Sequence, residues 1–331
     1  MTAPSGSPAA RTAAALDAAA RLALHAPSVF NTQPWRWRRS GGTLELSADR
    51  SRALSTTDPD GRLLLLSCGT ALHHARVALA ADGWTADVQR LPDDNDADLL
   101  ARLTVTGAGP ADPGAQRLAA AITVRHTDRR AYGERPVPED VLAGLRRAVE
   151  AQGAYLHVVR RDQMPMLATS TARAAEAERD DPAYRAELEQ WTHRPPGSGD
   201  GVPAATAVEQ VPRRVPVRDY APGGRPGLAA GSGFDLGAAY VVLFGLTDRP
   251  ADLLRGGEAL SALLLTATAE GLATAPLSDT IEVEWPRHLM RELLADVGEP
   301  YLIVRVGYRD TDEEVPGAPR RDAREVLTTD E

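Results

Sequence analysis

Lysine is missing from this sequence: all 37 basic side chains are arginine. That excludes a P-loop lysine, a lysine Schiff base to a cofactor and any amine nucleophile or base. A phosphate held by this chain is therefore held by arginine forks and backbone amides. Cysteine is confined to Cys68. One thiol builds neither an internal disulfide nor a multi-thiolate metal site, which fits a reducing compartment, and the residue reads as a small buried side chain. No apolar run approaches the roughly 20 residues that cross a bilayer. The alanine-rich opening is broken by Arg11, Asp17 and Arg21, so it reads as an amphipathic helix rather than a secretory signal. The expected location is the cytoplasm, with no membrane association. Basic residues form no block and the net charge is −9, which argues against nucleic acid as a partner and leaves room for a small anion. His73 and His74 are chain neighbours, about 100° apart on a helix, and so poor joint metal ligands. H-E-x-x-H, G-x-S-x-G and G-x-G-x-x-G do not occur, which weakens zinc hydrolase, serine hydrolase and Rossmann dehydrogenase readings.

What is present is ordinary core material, 43% hydrophobic against 25% charged, over 331 residues, enough for one large domain or two of usual size. Apolar spacing predicts helices near Ala9–Ala26, Arg62–Ala81, Ala115–Ile122 and Asp252–Ala269, and near Pro286–Asp296. A further helix ends near Gln152, and a charged one over Met164–Trp191 is interrupted at Asp181-Pro182. Trp35-Arg36-Trp37 and Leu44-Glu45-Leu46 alternate about Ser40-Gly41-Gly42 as a hairpin. Other strands are expected at Ala86–Leu91, Leu99–Thr106, Tyr155–Arg160, Tyr240–Leu246 and Tyr301–Val306, followed by a polar tail. Gly107–Gly114 is the candidate seam between halves. Segment 193–237 has no sustained period and reads either as a lid or as a disordered loop; Trp191, Val202, Val211, Val215, Val217 and Tyr220 are its possible anchors. Two helices repeat: Gly69-Thr70-Ala71-Leu72 matches Gly257-Glu258-Ala259-Leu260, and Ala81-Asp82-Gly83 matches Ala269-Glu270-Gly271, at one offset of 188 residues.

Ala26-Pro27-Ser28-Val29-Phe30-Asn31-Thr32-Gln33-Pro34-Trp35 resembles the APS-x-x-N-x-QPW loop of the nitroreductase superfamily, whose members hold FMN where two subunits meet. Arg125-His126-Thr127-Asp128-Arg129 resembles its opening R-x-[ST]-x-[RK] motif. Gly257 to Leu272 resembles its helix ending in a Gly-Leu turn, and Pro319-Arg320-Arg321 its C-terminal phosphate-binding basic pair. Here the loop precedes the arginine motif, the reverse of an ordinary member, so the chain resembles the fused, two-half, Acg-like branch. The resemblance implies an α+β, nitroreductase-like fold of two pseudo-symmetric halves, residues 1–110 with the loop and 111–331 with the phosphate arginines. It implies a single FMN site complete within one chain. Pro27, Ser28 and Asn31 of the first half, with Arg125, Thr127, Arg129, Glu270, Gly271, Leu272, Arg320 and Arg321 of the second, are its implied cofactor-binding residues.

Arg125, Arg320 and Arg321 suit a dianionic phosphate through charge-assisted forks, although arginine pairs also form solvated surface. Gly271 either lets bare backbone approach a flavin ring or serves as a plain helix cap. Asn31 either meets the cofactor or organises its own loop. No catalytic residue is singled out. The functions left open are an FMN oxidoreductase passing electrons from NAD(P)H to a nitro compound, quinone or other small acceptor; a flavin-sequestering protein with little turnover; and a biosynthetic flavin dehydrogenase.

Overall fold

Helix α1 (Pro8–Ala23) begins where Ser7 Oγ accepts from the Ala10 N–H at 3.2 Å and Pro8 takes the first turn. A loop follows to the hairpin β1 (Trp35–Ser40) and β2 (Thr43–Ala48), then α2 (Arg62–Ala81), β3 (Trp84–Arg90) and β4 (Leu99–Ala108). The second half carries α3 (Pro113–Val124), α4 (Glu139–Glu150), β5 (Tyr155–Val158), α5 (Met164–Asp180) and α6 (Pro182–Thr192). It continues with β6 (Ala239–Gly245), α7 (Pro250–Ala269), β7 (Ala273–Leu277), α8 (Asp279–Glu282), α9 (Glu284–Leu293) and β8 (Glu299–Gly307). A short α10 (Ala323–Val326) and β9 (Leu327–Asp330) close it. This computed structural model describes residues 7–195 and 197–330; residues 1–6, 196 and 331, which fall in the expected first half, lid and tail, lie outside them.

The architecture is α+β, with two mainly antiparallel sheets and the helices packed between and around them. One sheet runs β3-β4-β2-β1-β9 and the other β7-β8-β6-β5, so the first four strands of each follow the same order through the chain. Helices α2 and α7 are each 20 residues long, and both ends are displaced by the 188-residue offset. They cross in the middle of one continuous core that also takes Trp35, Leu44 and Leu103 from the first sheet and Val241, Leu243 and Val304 from the second. The crossing is a backbone contact: a Cβ on Gly69 would lie 2.1 Å from the Leu254 carbonyl oxygen, and one on Gly257 2.1 Å from that of Leu66. Glycine is needed at both places because no side chain fits.

Several expectations change. Helix α2 is long and apolar enough to cross a membrane by length and composition, but most of it is buried inside the protein, packed against α7, α1 and α3. The Asp181-Pro182 interruption is a full break: Asp181 Oδ1 caps a new helix through the Ala183 N–H at 2.8 Å. Strand β7 escaped the pattern reading because Ala-Thr-Ala-Pro-Leu has little strand character; its Pro276 is tolerated on a sheet edge, which is where β7 lies. The polar tail holds a strand too. β9 pairs in parallel with β1, Leu327 opposite Trp37, so the end of the second half completes the first half's sheet.

Candidate functional site

A cavity of about 310 Å³ lies between the halves. The loop after α1 gives Pro27, Ser28, Phe30 and Asn31, and α2 gives Ser67 and Thr70. Opposite them stand Arg125, Thr127 and Arg129, Leu260 of α7, Pro276 and Ser278 at the end of β7, and Arg320 of the tail. The loop is seated on α2: Thr70 Oγ1 donates to the Pro27 carbonyl at 2.6 Å and Ser67 Oγ accepts from the Val29 N–H at 3.2 Å. Phe30, Asn31 and Gln33 sit at φ +46°, +54° and +50°. Three non-glycine residues in the left-handed region mark backbone strain that surrounding contacts must hold.

One end of the cavity is strongly cationic. Arg125 is 6% exposed, has no ion-pair partner among the described residues, and its Nε and Nη1 hydrogens meet no acceptor. Burial, and then the neighbouring Arg320, push its guanidinium down to about 9. Burial likewise lowers Arg320 to about 10. Its Nη1 donates to Asn31 Oδ1 at 2.7 Å, its Nη2 to the His25 carbonyl at 3.1 Å, and its Nε is left without a partner. His25 and His126 are both pulled below the usual imidazole range, first by burial and then by these arginines. A buried, unpaired cation is costly, and two side by side more so. The end of the cavity is therefore built for an anion with several acceptor oxygens. A phosphate monoester fits that donor set.

Not every residue expected at the site reaches it. Glu270 reaches outward to an ion pair with Arg117 at 2.8 Å. Gly271, at φ +75°, is the left-handed cap of α7, and Leu272 is buried in the main core. The Gly-Leu turn thus ends the helix, and the cavity wall comes a few residues later at Pro276 and Ser278. Arg321 is turned away as well: its Nη1 donates to the Gln33 carbonyl at 3.1 Å and lies 3.5 Å from Asp49 Oδ2. Asn31 lines the cavity, but its side-chain amide is engaged by protein groups on both its nitrogen and its oxygen. Sequence reasoning missed Ser67, Thr70, His25, Pro276 and Ser278. The one available signal was Pro276 with Ser278 two residues on, at the end of a strand that the pattern did not reveal.

Segment 193–237 forms much of the remaining wall through Gly201, Val202, Pro203, Thr206 and Tyr220. Of its expected anchors, Trp191, Val202 and Val215 are buried, whereas Val211 is exposed. Arg129 stacks its guanidinium 4.1 Å from the Tyr220 ring centre, and Phe30 meets Tyr220 edge-on at 6.3 Å. Behind these rings, buried Arg218 donates to Glu178 Oε1 and Glu282 Oε2, each at 2.7 Å, while the Tyr184 hydroxyl donates to Glu282 Oε2 at 2.9 Å. Asp279 is buried beside this group, and burial pushes its carboxyl up to about 6. A folded-state value above the unfolded 3.8 means that ionising Asp279 costs stability, a loss that grows as pH rises from about 4 through about 6. Asp279→Asn, which mimics the protonated form, is expected to match the wild type near pH 4 in urea denaturation. Above pH 6.5 it should exceed it, by up to about 3 kcal/mol. An unchanged difference across that range would contradict this.

The 188-residue offset also locates the mirror image of the cavity. Thr70 corresponds to Glu258 and Ser278 to Arg90. There Glu258, fully buried, takes Arg90 Nε at 2.6 Å and Arg76 Nη1 at 2.6 Å, and Arg76 also reaches Gln152 Oε1 at 2.8 Å. An ion-pair clamp stands where the other side has Thr70 and Ser278 on the cavity wall.

No family model matches the chain. A Mycobacterium tuberculosis protein provisionally named an NAD(P)H nitroreductase is 42% identical over 312 residues, covering 92% of this chain and 89% of that one. The same organism's provisionally named NAD(P)H nitroreductase acg is 37% identical over 315 residues, covering 94% and 95%. Among solved structures, an FMN-bound nitroreductase of Desulfitobacterium hafniense aligns with a TM-score of 0.41 at 13% identity, over 65% of this chain and 98% of that one.

Proposed function

This chain belongs to the nitroreductase family, in its Acg-like branch, and from that premise we propose that it binds one FMN and passes electrons from NAD(P)H to a small acceptor such as a nitro compound or quinone. The observation that carries the reading is Arg125, a buried guanidinium with two unpartnered nitrogens beside a second buried arginine, at one end of a cavity shared by both halves. Arg125 and Arg320 would hold the phosphate. Thr127, Arg129, Ser67, Thr70 and Ser278 would meet the polar parts of the ribityl chain and ring, and Leu63, Leu66 and Leu260 its apolar face. When bound, the flavin supplies the hydride and electron transfer chemistry. The protein fixes its phosphate end, and the wall from Gly201 to Tyr220 limits which molecules reach it.

The halves are read as the products of an internal duplication. The clamp at Glu258 fills the mirror site, and the arginine motif occurs once, which supports a single cofactor. Residues of both halves line the cavity, where the family resemblance implies a meeting of two subunits, and this supports a site independent of any second protomer. Purified protein is expected to be yellow, to release one FMN per chain on heating, and to keep it when sedimented as a monomer. Under anaerobic conditions NADH or NADPH should bleach the flavin, and a nitroaromatic or quinone should restore the colour. Protein with no affinity for FMN would sink the reading. Flavin that is tightly held but never bleached would shift the function to flavin sequestration.

A further inference from the structure

Three separate stretches of chain meet at Asn31. Its Nδ2 donates to the Gly201 carbonyl at 3.0 Å, in the wall segment, and to the Pro319 carbonyl at 3.0 Å, in the tail. Its Oδ1 accepts from Arg320 Nη1 at 2.7 Å, and its backbone carbonyl accepts from the Gly201 N–H at 3.3 Å. Gln33 repeats the pattern two residues on: Nε2 donates to the Gly199 carbonyl at 2.8 Å, and Oε1 accepts from the Arg321 N–H at 3.0 Å. The join is close. A Cβ on Gly199 would lie 2.8 Å from the Arg320 carbonyl oxygen, and one on Gly201 2.6 Å from that of Trp191, both glycines having positive φ.

The chemistry at Asn31 requires an amide. It offers two donors and one acceptor oxygen, and both ends are engaged. A carboxylate would lose the donors to Gly201 and Pro319. It would also neutralise Arg320, whereas the amide oxygen aims that guanidinium while leaving its charge uncompensated. The residue that keeps Arg320 available to an anion is thus the one that fastens the cavity wall.

We propose that Asn31 is a positioning residue that makes capture of the cofactor's phosphate and closure of the segment around Gly199–Tyr220 a single event. Arg320 drawn onto a phosphate stays fixed against Asn31, which stays fixed against Gly201. Without that anion, the two buried arginines repel each other and the seam holding the wall is weakened. This rests on the flavin reading above, and the test separates the two.

FMN and riboflavin differ in the phosphate alone, and the wall carries a trypsin site at Arg213-Arg214, where Arg214 is exposed. Dissociation constants for both ligands, and rates of trypsin cleavage with and without each, are measured for the wild type, Asn31→Asp and Asn31→Ala, with thermal melting as the check on folding. In the wild type, FMN is expected to slow cleavage about tenfold and riboflavin hardly at all. Asn31→Asp should lower the FMN-over-riboflavin preference by about tenfold or more, the effect of losing one charge-assisted phosphate contact. It should also abolish protection by FMN. Asn31→Ala, which adds no charge, should lose protection while keeping more of the preference than the aspartate does. A residue that merely stabilised the fold would weaken both ligands alike, and that result overturns the proposal. Equal protection of the wild type by riboflavin and FMN overturns it even if both variants fail to fold. Wild-type protein that binds neither flavin removes the functional reading itself.

Discussion

Arg125→Ala is expected to lower the affinity for FMN by a hundredfold to ten-thousandfold while leaving the flavin-free protein as stable as the wild type or more so. The loss follows from two N–H groups that have no protein partner. If each makes a charge-assisted bond to phosphate, worth roughly 1.5–3 kcal/mol, their removal costs about 3–6 kcal/mol of binding. The second half of the expectation has the opposite sign for the same reason. A cation buried without a counter-charge opposes folding, and removing it relieves that cost. Titration with FMN and urea denaturation of flavin-free protein measure the two effects separately. Arg321→Ala is the control, because Arg321 ties the tail to Gln33 and Asp49 instead of lining the cavity. It should cost stability and little direct affinity. Equal losses of affinity for the two variants would show that the cationic end of the cavity is not where the phosphate binds.

Gly69→Ala and Gly257→Ala are each expected to destabilise the fold by about 1–3 kcal/mol or more, even though alanine is the better helix former. The added methyl would fall 2.1 Å from a backbone oxygen of the opposing helix in either case, and backbone cannot turn aside as a side chain can. The helices must separate, and overpacking of this kind costs about 1–3 kcal/mol or more. Because one separation accommodates both methyl groups, the double variant should lose markedly less than the sum of the singles. Chemical denaturation of the four proteins decides the matter. Strict additivity would mean that the two glycines do not share one contact. Flavin affinity should fall in parallel, since α2 and α7 each line the cavity.

Much of the architecture was legible in the sequence because it is local or repeated. The helix periods, the hairpin at Gly41-Gly42 and the 188-residue offset are all properties of nearby residues or of self-similarity. The central pair α2 and α7 followed from them. What stayed hidden depends on partners distant in sequence. β9 is polar and short, and becomes a strand only because β1 offers it an edge. Pro276 and Ser278 became visible at the cavity only once β7 was placed against β8. Arg320 and Arg321 are neighbours with the same chemistry, and nothing local says which one enters the cavity. Asn31 lay in the right loop, but its partners at Gly201 and Pro319 are 170 and 288 residues away.

Strand β9 and the preceding Arg320 have a consequence for the order in which the molecule can be made. A ribosome delivers the loop that follows α1 early and residue 320 some three hundred residues later, at about 5–20 residues per second. Until then the nascent first sheet has an unpaired β1 edge, and the loop's strained backbone lacks the tail contacts that hold it. The cationic end of the cavity holds one arginine instead of two. On the proposed flavin reading, a polypeptide stopped before residue 320 would present most of the core yet retain the cofactor poorly. Colour in a preparation would then report completed synthesis, and shortened translation products would be expected to elute colourless.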